Sequence, residues 1–153
     1  PGTTLNKLNT MLIQHPIINK FIPLFYAILD PITLTLTYCN AGHEAPIWKS
    51  QKNYKFLNAQ NLPIGAEKNK NYKSKKIQLS KNDILLLFTD GITEAKNKNN
   101  IPFGTTKIKK IITKNKLKTA KEITSILYEE VKKHTNITIQ NDDITAITIK
   151  ITP

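Results

Sequence analysis

The 153-residue chain contains no arginine; all 23 of its basic side chains are lysine. Arginine supplies most bidentate contacts to bases and phosphates, so its absence argues against specific nucleic-acid readout despite a formal net charge of +12. The lysines are also dispersed among asparagines, as in Lys68–Lys76 and Lys96–Lys116, which is the pattern of a compositional bias rather than of a binding face. A solvated basic surface that tolerates an anionic substrate is the better reading, and no specific nucleic acid is expected as partner. The single cysteine, Cys39, excludes an internal disulfide and gives no redox or zinc-finger framework. No apolar run approaches the length of a membrane span and no stretch resembles a signal peptide, so a cytoplasmic location is expected. Position 1 is proline rather than methionine, from which we expect a fragment whose true beginning is missing, in a parent that an upstream region could tether to a membrane. The length corresponds to one domain, residues 1–153, with a substantial core.

What is present is organised around Asp83-Ile84-Leu85-Leu86-Leu87-Phe88-Thr89-Asp90-Gly91. Five apolar residues led by a turn and closed by Asp-Gly read as a strand buried on both faces. Ahead of it, Thr3 or Thr4 can cap a helix with Leu5, Leu8 and Leu12 on one face and Met11 beside them, stopped by Pro16. Phe21 to Leu29 reads as a central strand because it is mostly apolar. After the Asp30-Pro31 turn, Ile32, Leu34, Leu36 and Tyr38 alternate with Thr33, Thr35, Thr37 and Cys39, which predicts the second strand of an antiparallel hairpin. Short strands are expected at Ile47-Trp48 and Tyr54–Leu57, a tight connection at Leu62–Gly65, and a lysine-rich edge strand over Tyr72–Leu79.

Beyond Gly91 come a polar loop over Lys96–Asn100 and a short helix after Phe103-Gly104 with Ile108, Ile111 and Ile112 on one side. A stronger helix begins at Thr119, where Glu122 completes a capping box and Ile123, Ile126, Leu127 and Val131 form the apolar stripe. The last strand, Ile144–Ile151, alternates Ile147, Ile149 and Ile151 with Ala146, Thr148 and Lys150. Helices at the start and near the end, with mostly antiparallel strands between, predict an α+β fold in which helices cover sheets.

The acids suggest chemistry. Asp90 ends one strand and Asp142 begins another; if these are antiparallel neighbours, both carboxylates reach the same end of a sheet. Asp83 belongs to the other end, about seven residues away at roughly 3.3 Å each. Clustered carboxylates without cysteine or histidine partners suit hard ions such as Mg²⁺ or Mn²⁺. The plain alternatives are a hairpin turn at Asp90-Gly91 and a solvated turn at Asp142-Asp143. His43 could be a ligand or an acid–base group, but a turn in which Gly42 takes a positive φ and His43 bonds backbone accounts for it as well. His15 and His134 fall at helix ends, where a charge suits the helix dipole.

Asn40-Ala41-Gly42-His43-Glu44-Ala45-Pro46, Leu62-Pro63-Ile64-Gly65, Thr89-Asp90-Gly91-Ile92-Thr93-Glu94-Ala95, Phe103-Gly104 and Asp142-Asp143-Ile144-Thr145 follow one another along the chain. In that order and spacing they resemble the metal-dependent protein phosphatase (PPM) family, in its bacterial branch typified by the stage II sporulation protein E and the regulators of stress sigma factors. The resemblance implies a two-sheet β-sandwich flanked by helices, a binuclear Mn²⁺ or Mg²⁺ site, and hydrolysis of phosphoserine or phosphothreonine through a metal-activated water. It implies Asp90 and Asp142 as metal ligands, Asp143 as a ligand or water-holding residue, and Gly91 and His43 near the site. The implied substrate is a phosphorylated STAS-type anti-sigma-factor antagonist, with an N-terminal sensor or regulatory domain in the full-length protein and a homodimer left open.

One departure matters. Family members carry an earlier Asp-Gly motif whose Asp bridges both metals, and this chain has none: Asp30, the one acid before Glu44, sits at a turn. Two aspartate sites alone would hold at most one ion. The chain is therefore expected to be the C-terminal portion of a longer phosphatase and to turn over little by itself. The alternatives are a catalytically inactive PPM-like module that binds a regulatory partner, and a basic nucleic-acid-binding domain.

Overall fold

The computed structural model describes residues 1–14, 21–58, 61–135 and 143–152. They form α1 (Gly2–Gln14), β1 (Leu24–Asp30), β2 (Thr35–Ala41), β3 (Ile47–Lys49), β4 (Tyr54–Phe56), β5 (Lys75–Gln78), β6 (Ile84–Phe88), α2 (Asp90–Thr93), α3 (Gly104–Lys114), α4 (Ala120–Thr135) and β7 (Ala146–Lys150). The strands make two sheets, in the orders β1-β2-β5 and β4-β3-β6-β7, and every pairing is antiparallel. This is the α+β class the sequence predicts. The chain divides into two compact units, one of Pro1–Ala45 with Leu57–Ser80, the other of Pro46–Phe56 with Lys81–Pro153.

In the first unit α1 and the three-stranded sheet enclose Leu5, Cys39, Ala41, Ile64 and Tyr72, with Leu8 and Leu12 packed against them. The helix is tied to the chain before β5 by amides rather than by more apolar contact. Asn9 is buried; its Oδ1 accepts from the Gly65 N–H (2.7 Å) and its Nδ2 donates to the Glu67 carbonyl (3.0 Å). Asn6 Oδ1 accepts from the Tyr72 N–H at 2.7 Å. The expected threonine cap is not made: the helix starts at Gly2, whose N–H donates to Ser74 Oγ (2.8 Å), and Met11 points outward.

Two strand expectations need correction. β1 lies at the edge of its sheet and β2 at the centre, so the apolar content of residues 21–29 misled; Phe21 and Ile28 are exposed, while Leu36, Tyr38, Cys39 and Asn40 are buried. The alternation from Ile32 does not begin a strand either. Asp30 Oδ1 accepts from the N–H groups of Ile32 (2.9 Å) and Thr33 (3.1 Å), and Leu34 takes φ 54°, so the turn runs on to Thr35 and leaves Ile32 in solvent. Short polar side chains compete with strand pairing in this way. β5 is an edge strand, as its lysines suggest, but it is four residues long and Tyr72 lies before it in the core.

In the second unit β6 runs between β3 and β7, and Ile84, Leu85, Leu86 and Phe88 are all buried. Ile84, Leu86 and Phe88 share a core with Ile108 and Ile112 of α3 and with Ile123, Leu127 and Val131 of α4. The capping box at α4 forms: Thr119 N–H donates to Glu122 Oε2 (2.8 Å) and Glu122 N–H to Thr119 Oγ1 (3.2 Å). In β7, Ala146 and the preceding Ile144 pack against this helix-covered core, and Ile147 is exposed. The isoleucine row of that strand thus lies on the face opposite the helices, since neighbouring strand positions point to opposite faces.

Candidate metal centre

The pairing of β6 with β7 decides where the acids go. Its register sets Phe88 opposite Ala146 and Ile84 opposite Lys150. The C-terminal end of β6 therefore meets the start of β7, as the sequence predicts for strands carrying Asp90 and the Asp142-Asp143 pair. Asp142 itself lies outside the described residues. Asp143 is described; it and Asp90 are both exposed at this end.

Thr89 closes the corner. Its N–H donates to the Thr145 carbonyl (3.1 Å), its hydroxyl donates to the Asp143 carbonyl (3.0 Å), and the same oxygen accepts from the Thr145 N–H (3.1 Å). Sequence reasoning assigned Thr89 no role. The available signal was a hydroxyl residue directly before the Asp-Gly pair, at the last point where the two strands can still bond. Beyond Thr89 the chain does not make the hairpin that Asp-Gly allows; it starts the single helical turn α2. Gly91 N–H donates to Asp90 Oδ1 (3.0 Å) and Glu94 N–H to the Asp90 carbonyl (2.8 Å). Gly91 is buried and takes no positive φ, so no left-handed turn is made here.

The opposite end of β6 is built differently. Asp83 is buried, its Oδ2 accepts from Trp48 Nε1 at 2.9 Å, and its backbone carbonyl accepts from Ile151 N–H at 3.0 Å. This aspartate serves the fold, and its separation from Asp90 is as expected.

His43 belongs to the first unit and to the Asn40–His43 turn. Asn40 is the organiser: its Oδ1 accepts from the His43 N–H (2.9 Å), and its Nδ2 donates to the carbonyls of His43 (3.1 Å) and Leu57 (3.0 Å). Gly42 takes φ 75°, and a Cβ there would meet Pro63 Cγ at 2.6 Å, so glycine is required twice over. His43 Nδ1 lies 2.9 Å from the Glu44 carbonyl. The backbone-bonded turn, the plainer reading of this motif, is what forms. His134, in the last turn of α4, contacts the Ile101 carbonyl through Nε2 (2.9 Å) and Lys107 Nζ through Nδ1 (2.8 Å), and so joins the elements around it. His15 lies outside the described residues.

Among the described residues no three His, Cys, Asp or Glu side chains form a metal-binding group. Asp90 and Asp143 are hard oxygen donors of the kind Mg²⁺ and Mn²⁺ take. The residues thus fit such an ion in chemical kind, and the described part of the chain brings two of them to one corner.

Two antiparallel sheets with helices match the fold of PP2C-type phosphatase domains. The structure matches the SiaA-PP2C domain of Pseudomonas aeruginosa with a TM-score of 0.85 at 14% identity, covering 99% of this chain and 61% of that one. It also matches the phosphatase domain of the cell-fate determinant SpoIIE from Bacillus subtilis, presoaked with Mn, with a TM-score of 0.63 at 19% identity, covering 97% and 73%. The family model of stage II sporulation protein E (SpoIIE) matches residues 1–152, and the chain belongs to that family. Among curated proteins it is similar to phosphoserine phosphatase RsbU of Bacillus subtilis, 30% identical over 152 residues. That alignment takes in 98% of this chain and 45% of RsbU, so the chain spans less than half of that relative's length. Among the described residues no helix is long and apolar enough to cross a membrane.

Proposed function

We propose that this chain is the C-terminal portion of a single metal-dependent phosphatase domain, residues 1–153, that hydrolyses phosphoserine or phosphothreonine on a bacterial regulatory protein. The observation that carries the reading is the Thr89 clip, which fastens the strand end before Asp90 to the backbone of Asp143. Asp90, Asp142 and Asp143 are the residues we assign to Mn²⁺ or Mg²⁺, supported by their hard-donor chemistry and by the family. A bound divalent ion supplies Lewis acidity toward phosphoryl oxygens and activation of water at neutral pH. The chain's own part is to hold carboxylates at a corner whose backbone is fixed by strand pairing and by α2. That corner is exposed, so a phosphorylated side chain on another protein can reach it. The similarity to a protein named phosphoserine phosphatase supports phosphoserine as the substrate group. An anti-sigma-factor antagonist of the STAS type as substrate and a cytoplasmic place of action are the finer parts of the proposal.

A second reading, a module that binds a regulatory partner without turnover, is favoured by one observation: among the described residues no three His, Cys, Asp or Glu side chains form a metal-binding group. One assay separates the two. The full-length parent is expected to hydrolyse an aryl phosphate with Mn²⁺, and Asp90→Asn to lower that rate by about a hundredfold or more. Full activity in the variant overturns the assignment of Asp90, and no Mn²⁺-dependent hydrolysis by the parent favours the non-catalytic module.

A further inference from the structure

A groove of about 370 Å³ opens on the second unit beside the Asp90–Asp143 corner. Its floor is Ile92, Leu127, Ile144 and Ala146, and its exposed rim on α4 carries Ser125, Tyr128 and Glu129. Two floor residues are almost the acids themselves in sequence: Ile92 is two residues past Asp90, and Ile144 directly follows Asp143. The groove and the corner thus share the backbone that the Thr89 clip holds in place.

Charge tells what the groove can take. In a chain with 23 lysines, the described lining includes none, and its one charged member is Glu129. A phosphate would find no cation there, whereas an apolar side chain would cover Ile92, Ile144 and Ala146, and a neutral or basic neighbour would suit Glu129. Resting on the phosphatase reading, we propose that this groove is the docking slot for an apolar side chain close in sequence to the phosphoserine of the substrate protein. Phosphoryl and apolar groups are then held by adjoining parts of one surface, and recognition extends beyond the phosphate. Specificity for a flanking residue belongs to α4, through Ser125 and Tyr128, and not to the carboxylates.

The test is a set of fluorescein-labelled peptides read by anisotropy on the whole chain with and without Mn²⁺. A leucine is walked through the positions on either side of a phosphoserine in a glycine-rich parent, and each peptide is also made with unmodified serine. At one position or two, leucine should tighten binding about tenfold, the scale of burying one aliphatic side chain. Ser125→Trp, which fills the groove from an exposed helix position, and Tyr128→Ala, which removes its rim, should each erase that gain with the fold intact by circular dichroism. No gain at any position, or a gain that survives both variants, overturns the slot. The phosphate reading is separate: equal binding of serine and phosphoserine peptides by the full-length parent in Mn²⁺ overturns the phosphatase assignment, whatever leucine does.

Discussion

The two ends of β6 place an aspartate in opposite circumstances. Asp83 enters the strand buried and accepts the indole N–H of Trp48; Asp90 leaves it exposed, at the first residue of a helical turn. A buried carboxylate with a fixed donor holds the fold in register. An exposed one on a backbone fastened from behind is available to something outside. The same division separates the Asn40–His43 turn, where a buried amide and a left-handed glycine shape the chain, from Thr89-Asp90-Gly91, where the Thr89 bonds lie behind the carboxylate and the carboxylate itself accepts from the neighbouring Gly91 N–H.

Exchanging the two acids for alanine tests the contrast most sharply. Asp83→Ala leaves the partly buried Trp48 N–H without its acceptor and should cost about 2 kcal/mol of unfolding free energy, measured by urea denaturation. Asp90→Ala should stay within about 0.5 kcal/mol, as surface substitutions usually do. Equal costs at the two positions would erase the distinction. A smaller effect is expected from Thr89→Val, which keeps the shape and deletes the hydroxyl bonds to Asp143 and Thr145. A loss of about 1 kcal/mol is anticipated, and an unchanged midpoint would show that the clip does not hold the corner.

The smallest effect concerns Glu122, an exposed acid that serves the fold. The Thr119 backbone N–H and then its hydroxyl bond the Glu122 carboxylate and hold its pKa below the usual glutamate range. A depressed folded-state pKa means stability that is present above the unfolded value and lost as pH falls through the folded one. Wild type should therefore melt above Glu122→Gln at neutral pH, and the gap should close in acid, below the ordinary glutamate pKa. A gap independent of pH would remove the carboxylate from the account of the cap.

Much of this could be read from the residues, and the failures have physical causes. β6 was legible because five apolar residues between turn signals have few alternatives, and α4 because Thr119 and Glu122 mark its start. β1 was misplaced because apolar content reports burial only when the sheet order is known, and strand order is set by long-range pairing. Residues 32–34 alternate like a strand, but the Asp30 carboxylate captures the N–H groups of Ile32 and Thr33 first. Asp90-Gly91 was ambiguous because Asp-Gly suits a hairpin and a helix start alike. The meeting of the Asp90 and Asp143 strand ends followed from antiparallel neighbours, while the hydroxyl that fastens them had no periodicity to announce it. Asn40 was hidden for a similar reason: a buried amide inside a strand is recognised only by its partners.

The central claim is that the exposed end of β6 is a metal corner and the buried end is not. Titrating Mn²⁺ into the chain, with free ion followed by electron paramagnetic resonance, addresses it directly. Weak binding, on the order of millimolar for a site with few ligands, should be lost in Asp90→Asn and retained in Asp83→Asn. Identical binding in wild type and Asp90→Asn, or binding lost in Asp83→Asn with the fold intact, would contradict it.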